Sequence, residues 1–382
     1  MKKLLLTLSF ILLGCQLAFG AAADMAVTVA GAGDGSGTAG DGITLEWDNA
    51  MSLAQWVTDS EVSSEAGDRY FIAAGTYTLT SDFNTARSGS SVAPISYIGV
   101  KAGTDAEPPT SADWAYGSDR PVIAATTWDF RVTSYWHIKN LELTTAEIYG
   151  MLTKVGCIVE NCKSTQSSVS ANYAAFRTDT SAYSKYIGCE GISTNGYAFS
   201  LITGSDMHGC YAHDSLVGVL SLNYSASIVG CVIDTCTTGI SIGARYDASI
   251  INNTIYNCTT GISITTGLRN VVINNIIDSC TTGASQTADY KDNFWDYNSW
   301  DGDASSNVNI TEGNHSIDSD ITLGDPGNGD FTLGSGSACL DAGLQPSTNI
   351  GLTGDYKWNI GADQDDNTAA GGGSSIGWVA TN

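Results

Sequence analysis

The chain has 382 residues, with 40 acidic against 16 basic side chains and a formal net charge of −24. That balance excludes nucleic acid as a natural partner and makes a polyanionic glycan a poor ligand unless a divalent cation bridges the two, so Ca2+ is the one candidate cofactor and the metal ligands stay unknown. The length suits one long domain, and past the first 23 residues no apolar run is long enough to span a membrane.

Lys2 and Lys3 precede the apolar run Leu4 to Leu13, and small residues follow, the pattern of a bacterial-type export signal over 1–23. Secretion or display at the cell surface is therefore expected. Leu12-Leu13-Gly14-Cys15 is similar to a lipoprotein box, which leaves anchoring at Cys15 as the alternative to free secretion. Residues 24–66 carry the Gly-rich run AGAGDGSGTAGDG, then Trp47-Asp48-Asn49-Ala50 and a helical pattern over Ala50 to Val57. A solenoid's first coil has open edges, so this segment is expected to cap it.

The body, 67–295, is repetitive. ASIVGCVIDTCTTGIS, ASIINNTIYNCTTGIS and NVVINNIIDSCTTGAS are three copies of one unit, with Cys236, Cys258 and Cys280 recurring every 22 residues. Within a unit the apolar positions alternate with period two, β-branched residues dominate, and each short run stops at Gly, Asn or Thr-Thr. These features predict an all-β fold, a right-handed parallel β-helix of roughly 21–22-residue coils with an N-terminal capping segment. Backward steps place Cys231, Cys210, Cys189 and, after a longer step, Cys157 in one inward column that continues as Asn253 and Asn275. The longer step is assigned to an insertion near Ser164 to Ala174. Cysteines that follow the coil period point to packing, so buried free thiols are expected rather than disulfides.

The order Trp-x-Asn-Ala, then GDRYFIAAGTYTLTSD, APISYIGVKAG, DRPVIAA and YWHIKNLELT, followed by the coil repeats after Gly156, resembles right-handed parallel β-helix proteins of the pectin-lyase-like superfamily over most of 40–290. The resemblance implies an extracellular polysaccharide as partner, bound or degraded by a lyase or a glycoside hydrolase; a non-catalytic surface or adhesive β-helix is the alternative. The opening is most similar to alginate-lyase and chondroitinase-B-type lyases, which use calcium, a Lys base and an Arg acid. Their acidic calcium motif is missing from the middle coils, as are the Asn-Thr-Asp, paired-Asp and Arg-Ile-Lys motifs of polygalacturonases. Enzyme and non-enzyme therefore both stand at this stage, and oligomeric state is not legible.

Beyond the repeats, DYKDNFWDYNSWDGD (289–303) is an aromatic run that either packs the end of the helix or stacks on sugars. Residues 296–364 should close the helix, with DFTLGSGSACLDAG and Asn359-Ile360-Gly361-Ala362 resembling the closing segment of secreted β-helix proteins, and 365–382 read as a flexible tail.

A β-helix binds along its side, so candidate site residues are outward side chains that line up across coils. Three positions after the Cys/Asn column stand Glu160, His213, Asp234, Tyr256 and Asp278. Asp234 and Asp278 are the candidate acid and base, with His213 as their catalytic neighbour and Tyr256 and Glu160 binding substrate. Arg177 and Lys185, beside the insertion, are further candidate substrate contacts or a lyase acid and base.

Overall fold

The computed structural model describes residues 23–29, 31, 47, 50–62, 64–104, 108–125, 129–146, 149–179, 183–243, 246–287, 292–301, 307–318, 321–344 and 359–363. The expected signal with Cys15, most of the Gly-rich run, Tyr290 and the tail lie outside the described residues.

Among the described residues, short strands stack into three parallel sheets, which form a parallel β-helix with coils of about 22 residues. Sheet A holds eleven strands from Asp24–Val27 to Phe294–Asp296, sheet B ten from Thr76–Leu79 to Ser299–Asp301, and sheet C nine from Phe83–Asn84 to Thr282–Gln286. The alternation sets which side chains enter the core. In sheet A the middle residue of each strand points inward, giving the fully buried series Tyr186, Met207, Ile228, Ile250 and Val272. The capping helix α1, Leu53–Val62, begins a little later than expected. A Ser52/Gln55 capping box starts it, and it buries Trp56 against Tyr77, Phe83 and Tyr97 of the first coils.

The coils turn from sheet A to sheet B through a single left-handed residue, Asn161, Gly188, Gly209, Gly230, Asn252, Asn274 and then Tyr297 in successive coils, a conformation that Gly and Asn adopt at the least cost. The residue after it points inward and caps the preceding coil. Cys210 and Cys231 accept from the backbone N–H of Cys189 and Cys210 at 3.4 Å. Asn253, Asn275 and Asn298 accept through Oδ1 from the N–H of Cys231, Asn253 and Asn275 at 2.9–3.0 Å. Each side chain also donates to a carbonyl of the coil before, as Cys210 Sγ does to Tyr186 and Asn275 Nδ2 to Ile250. Gly-Cys and Asn-Asn are thus two solutions to one problem, a buried corner whose backbone groups need partners.

This geometry corrects the expected register. Lys163 pairs with Glu190, so Cys162 and not Cys157 heads the inward column, and Asn161-Cys162 is the corner equivalent to Gly188-Cys189. Cys157 lies one corner earlier, just before the sheet A strand Ile158–Glu160. The insertion is correspondingly shorter than expected. Seven residues, 167–173, separate the strands Lys163–Gln166 and Ala174–Thr178, where three, 194–196, separate their successors. All nine described cysteines are free and buried.

The aromatic run after the repeats is a further coil: Trp295 and Trp300 enter the core at 1% and 0% exposure. The chain then folds back. An antiparallel hairpin, Leu323–Asp325 with Asp330–Leu333, and the segments around Cys339 and Ile360 pack on the outer face of sheet B over Val232, Thr254 and Ile276.

Candidate functional site on sheet B

The third residues of successive sheet B strands form a ladder in which His213 pairs with Asp234, Asp234 with Tyr256, and Tyr256 with Asp278. Strand spacing places the Asp234 and Asp278 backbones about 10 Å apart with Tyr256 between them. Three of the four ladder residues are braced by the left-handed residue that follows them. His213 Nδ1 lies 2.9 Å from Asp214 Oδ2, Thr235 Oγ1 donates to Asp234 Oδ1 at 2.7 Å, and Ser279 Oγ to Asp278 Oδ1 at 2.9 Å.

A second row runs beside the ladder. Lys163 Nζ sits 2.8 Å from Glu190 Oε1, and the same oxygen lies 3.3 Å from His213 Nε2. Tyr211 stacks on the His213 ring, centroids 4.1 Å apart, and donates to Asp234 Oδ2 at 3.3 Å. Burial disfavours the ionised form of Glu190, but His213 and Lys163 outweigh it and pull the carboxyl down to about 2. Burial likewise works against a charged His213, and the Glu190 and Asp214 carboxylates overcome it and raise its pKa. Asp234 is pushed up, because its desolvation exceeds the help of Thr235 and Tyr211. One face therefore carries a carboxylate held ionised, a carboxyl moved toward protonation, and an imidazole held toward its charged form.

The other predicted residues do not join this face. Glu160 belongs to sheet A, because Cys162 and not Cys157 stands in the inward column, and Thr165 occupies the expected place on sheet B. There Glu160 is bound by His137 at 3.1 Å and Lys139 at 2.9 Å, which together hold it at about 2, and Lys139 lies over the Trp114 ring at 4.8 Å. Lys185 also lies on sheet A, 3.7 Å from Asp206. Arg177 is on sheet C, stacked over Tyr149 and donating to its hydroxyl at 2.6 Å. Sequence reasoning missed Lys163, Glu190 and Tyr211, which occupy the first outward position of three successive sheet B strands, the last of them the strand of His213. It also missed Phe331, whose ring approaches Tyr211 at 6.2 Å and Tyr256 at 5.9 Å and closes one side of the face.

Among solved structures the crystal structure of the pectate lyase Pel9A superposes with a TM-score of 0.55 at 15% identity, covering 91% of this chain and 97% of that one. The chain has the parallel β-helix fold of that lyase. A rhamnogalacturonan lyase follows with a TM-score of 0.45 and 12% identity, over 78% of this chain and 85% of that one. The A-module of the Azotobacter vinelandii mannuronan C-5 epimerase AlgE4 gives 0.36 and 14%, over 66% and 91%. A family model described as periplasmic copper-binding protein (NosD) matches residues 139–319. Comparison with curated protein sequences finds no significant match. Among the described residues no helix is long and apolar enough to cross a membrane.

Proposed function

We propose that this protein is exported and processes a polysaccharide, with the chemistry on the outer face of sheet B. The observation that carries this reading is the divergence of two carboxyls on one face: Asp234 moved toward its protonated form and Glu190 held ionised, with His213 and Tyr211 between. Environments that separate the pKa values of neighbouring acids are how one face supplies both a proton donor and a base. In this reading Asp234 is the acid, Asp278, two strands away, is the base on the strength of its spacing alone, and the ionised Glu190 with Lys163 orients His213 beside the acid. The net charge of −24 favours a neutral polymer over a polyanionic one.

The copper of the NosD description does not fit the described donors. Cysteine binds copper as thiolate, yet eight of the nine described cysteines donate Sγ–H to backbone carbonyls, and burial pushes Cys157 up to about 11. Among the described residues no three His, Cys, Asp or Glu side chains converge on a metal position.

A non-catalytic binding role is the second reading, favoured by the hairpin that seats Phe331 against Tyr211 and Tyr256 and by the pairing of Lys163, Glu190, His213 and Asp234 within the protein. A polysaccharide panel followed by ultraviolet absorbance and by reducing-end release separates the two. Reducing ends without absorbance, lowered at least about a hundredfold in both Asp234→Asn and Asp278→Asn, are expected for hydrolysis on this face. Near-normal turnover in both variants removes sheet B from the chemistry. Binding with neither signal leaves recognition alone.

A further inference from the structure

The corner where sheet C returns to sheet A, on the far side of the molecule from sheet B, carries aromatic side chains in an axial row. Tyr135 and Tyr183 themselves take the left-handed corner conformation, with φ of 60° and 39°. Each ring covers a glycine of the next coil: a Cβ on Gly156 would fall 2.6 Å from the Tyr135 ring, and one on Gly204 would fall 2.4 Å from the Tyr183 ring. The row continues with Tyr224 stacked on Tyr246, centroids 5.8 Å apart and planes 24° apart, and then with the Arg269 guanidinium 4.8 Å over Tyr246. Backbone bonds run from coil to coil beneath it, Tyr183 N–H to Thr203 O, Gly204 to Tyr224 and Ser225 to Tyr246, so the rings are held at coil spacing.

This row is no part of the core. Tyr183 is 63% exposed and Tyr224 38%. Beside the stacked pair lies a groove of about 600 Å3 lined by Leu222, Asn223, Tyr224, Tyr246, Thr266 and Leu268. Arg269 is gripped by Asp247 through two bonds of 2.8 and 2.9 Å, which cancels its charge and fixes its plane.

We propose that this corner is a docking rail for a linear, neutral polysaccharide. Its rings supply flat apolar faces for the C–H faces of pyranose units, and Asn223 and Thr266 supply hydrogen bonds for their hydroxyls. The row follows the solenoid axis for about 29 Å, from the coil of Tyr135 to that of Arg269, and so matches an extended chain rather than a single sugar. A polyanion is disfavoured by the charge of −24. The proposal rests on the polysaccharide reading for its ligand class and is independent of the chemistry on sheet B.

Native affinity gels containing soluble xylan, mixed-linkage β-glucan or galactan test it, with pectate as the charged comparison. At least one neutral polymer is expected to retard the wild-type protein. Tyr183→Ala and Tyr224→Ala should each weaken that retention roughly fivefold, while Tyr224→Phe keeps it. Far-ultraviolet spectra confirm that these exposed sites leave the fold intact. Retention by pectate alone, by none of the polymers, or equally by the alanine variants overturns the rail. Loss of retention in Asp234→Asn with retention kept in both alanine variants also overturns it, while leaving the reading of sheet B standing.

Discussion

Replacing Asn275 tests the physical account of the coil corner. Its Oδ1 accepts from both the backbone and the side-chain nitrogen of Asn253 at 3.0 Å, and its Nδ2 donates to Ile250 O at 2.9 Å, all within the buried interior. Asn275→Ala strands the Asn253 N–H and one of the two Nδ2–H groups of Asn253, while the Ile250 carbonyl keeps its ladder partner on the next coil. An orphaned buried group costs about 1–3 kcal/mol, so the loss should be about 2–4 kcal/mol. Asn275→Cys keeps a side chain that both accepts and donates, the arrangement that Cys210 and Cys231 already use, so its loss should stay near 1 kcal/mol. Urea unfolding followed by far-ultraviolet circular dichroism measures the difference. With a slope on the order of 3 kcal/mol/M, the alanine midpoint should fall by about 1 M and the cysteine midpoint by about a third of that. Equal losses in the two variants would refute the claim that cysteine and asparagine cap the corner in the same way, leaving only volume to explain the column.

Two further outcomes are expected. Thiol titration should find few reactive groups in the native protein and all nine described cysteines after unfolding without reductant, since each is free and buried; recovery of only one on unfolding would mean that the ladders are disulfide-bonded. The contribution of His213 should depend on pH with a defined sign. Its folded pKa lies above the unfolded value of about 6.5, so the stabilisation is complete below that pH and fades as pH rises through the folded pKa. The stability gap between wild type and His213→Gln should therefore shrink between pH 6 and pH 9, and a gap that is flat or grows would show that Glu190 and Asp214 do not hold the imidazolium.

The repeat of Cys236, Cys258 and Cys280, the period-two alternation and the Gly or Asn before each inward Cys or Asn were enough to specify the β-helix, because each is a local constraint that every coil must satisfy alone. The stacking of His213, Asp234, Tyr256 and Asp278 followed from the same constant step. Legibility ended where that step changed. Gly156-Cys157 and Asn161-Cys162 both have the chemistry of a left-handed corner followed by an inward thiol, and only the pairing of Lys163 with Glu190 decides which one heads the column. That choice moved Glu160 to another face.

Tertiary structure alone decided what lies against sheet B. The outward positions Val232, Thr254 and Ile276 are apolar or fully covered, a break in alternation visible in the sequence as Val-Ile-Asp and Ile-Ile-Asp. The sequence shows that such a face needs cover but not which segment supplies it. The covering hairpin and the segment around Ile360 lie many residues away, and they dock through contacts such as Phe331 against Val232 and Ala362 N–H to Thr254 Oγ1 at 3.0 Å. Local periodicity determines the coil because its constraints lie within one repeat. The shape and ionisation of the outer face depend on burial between distant segments, which no local pattern encodes.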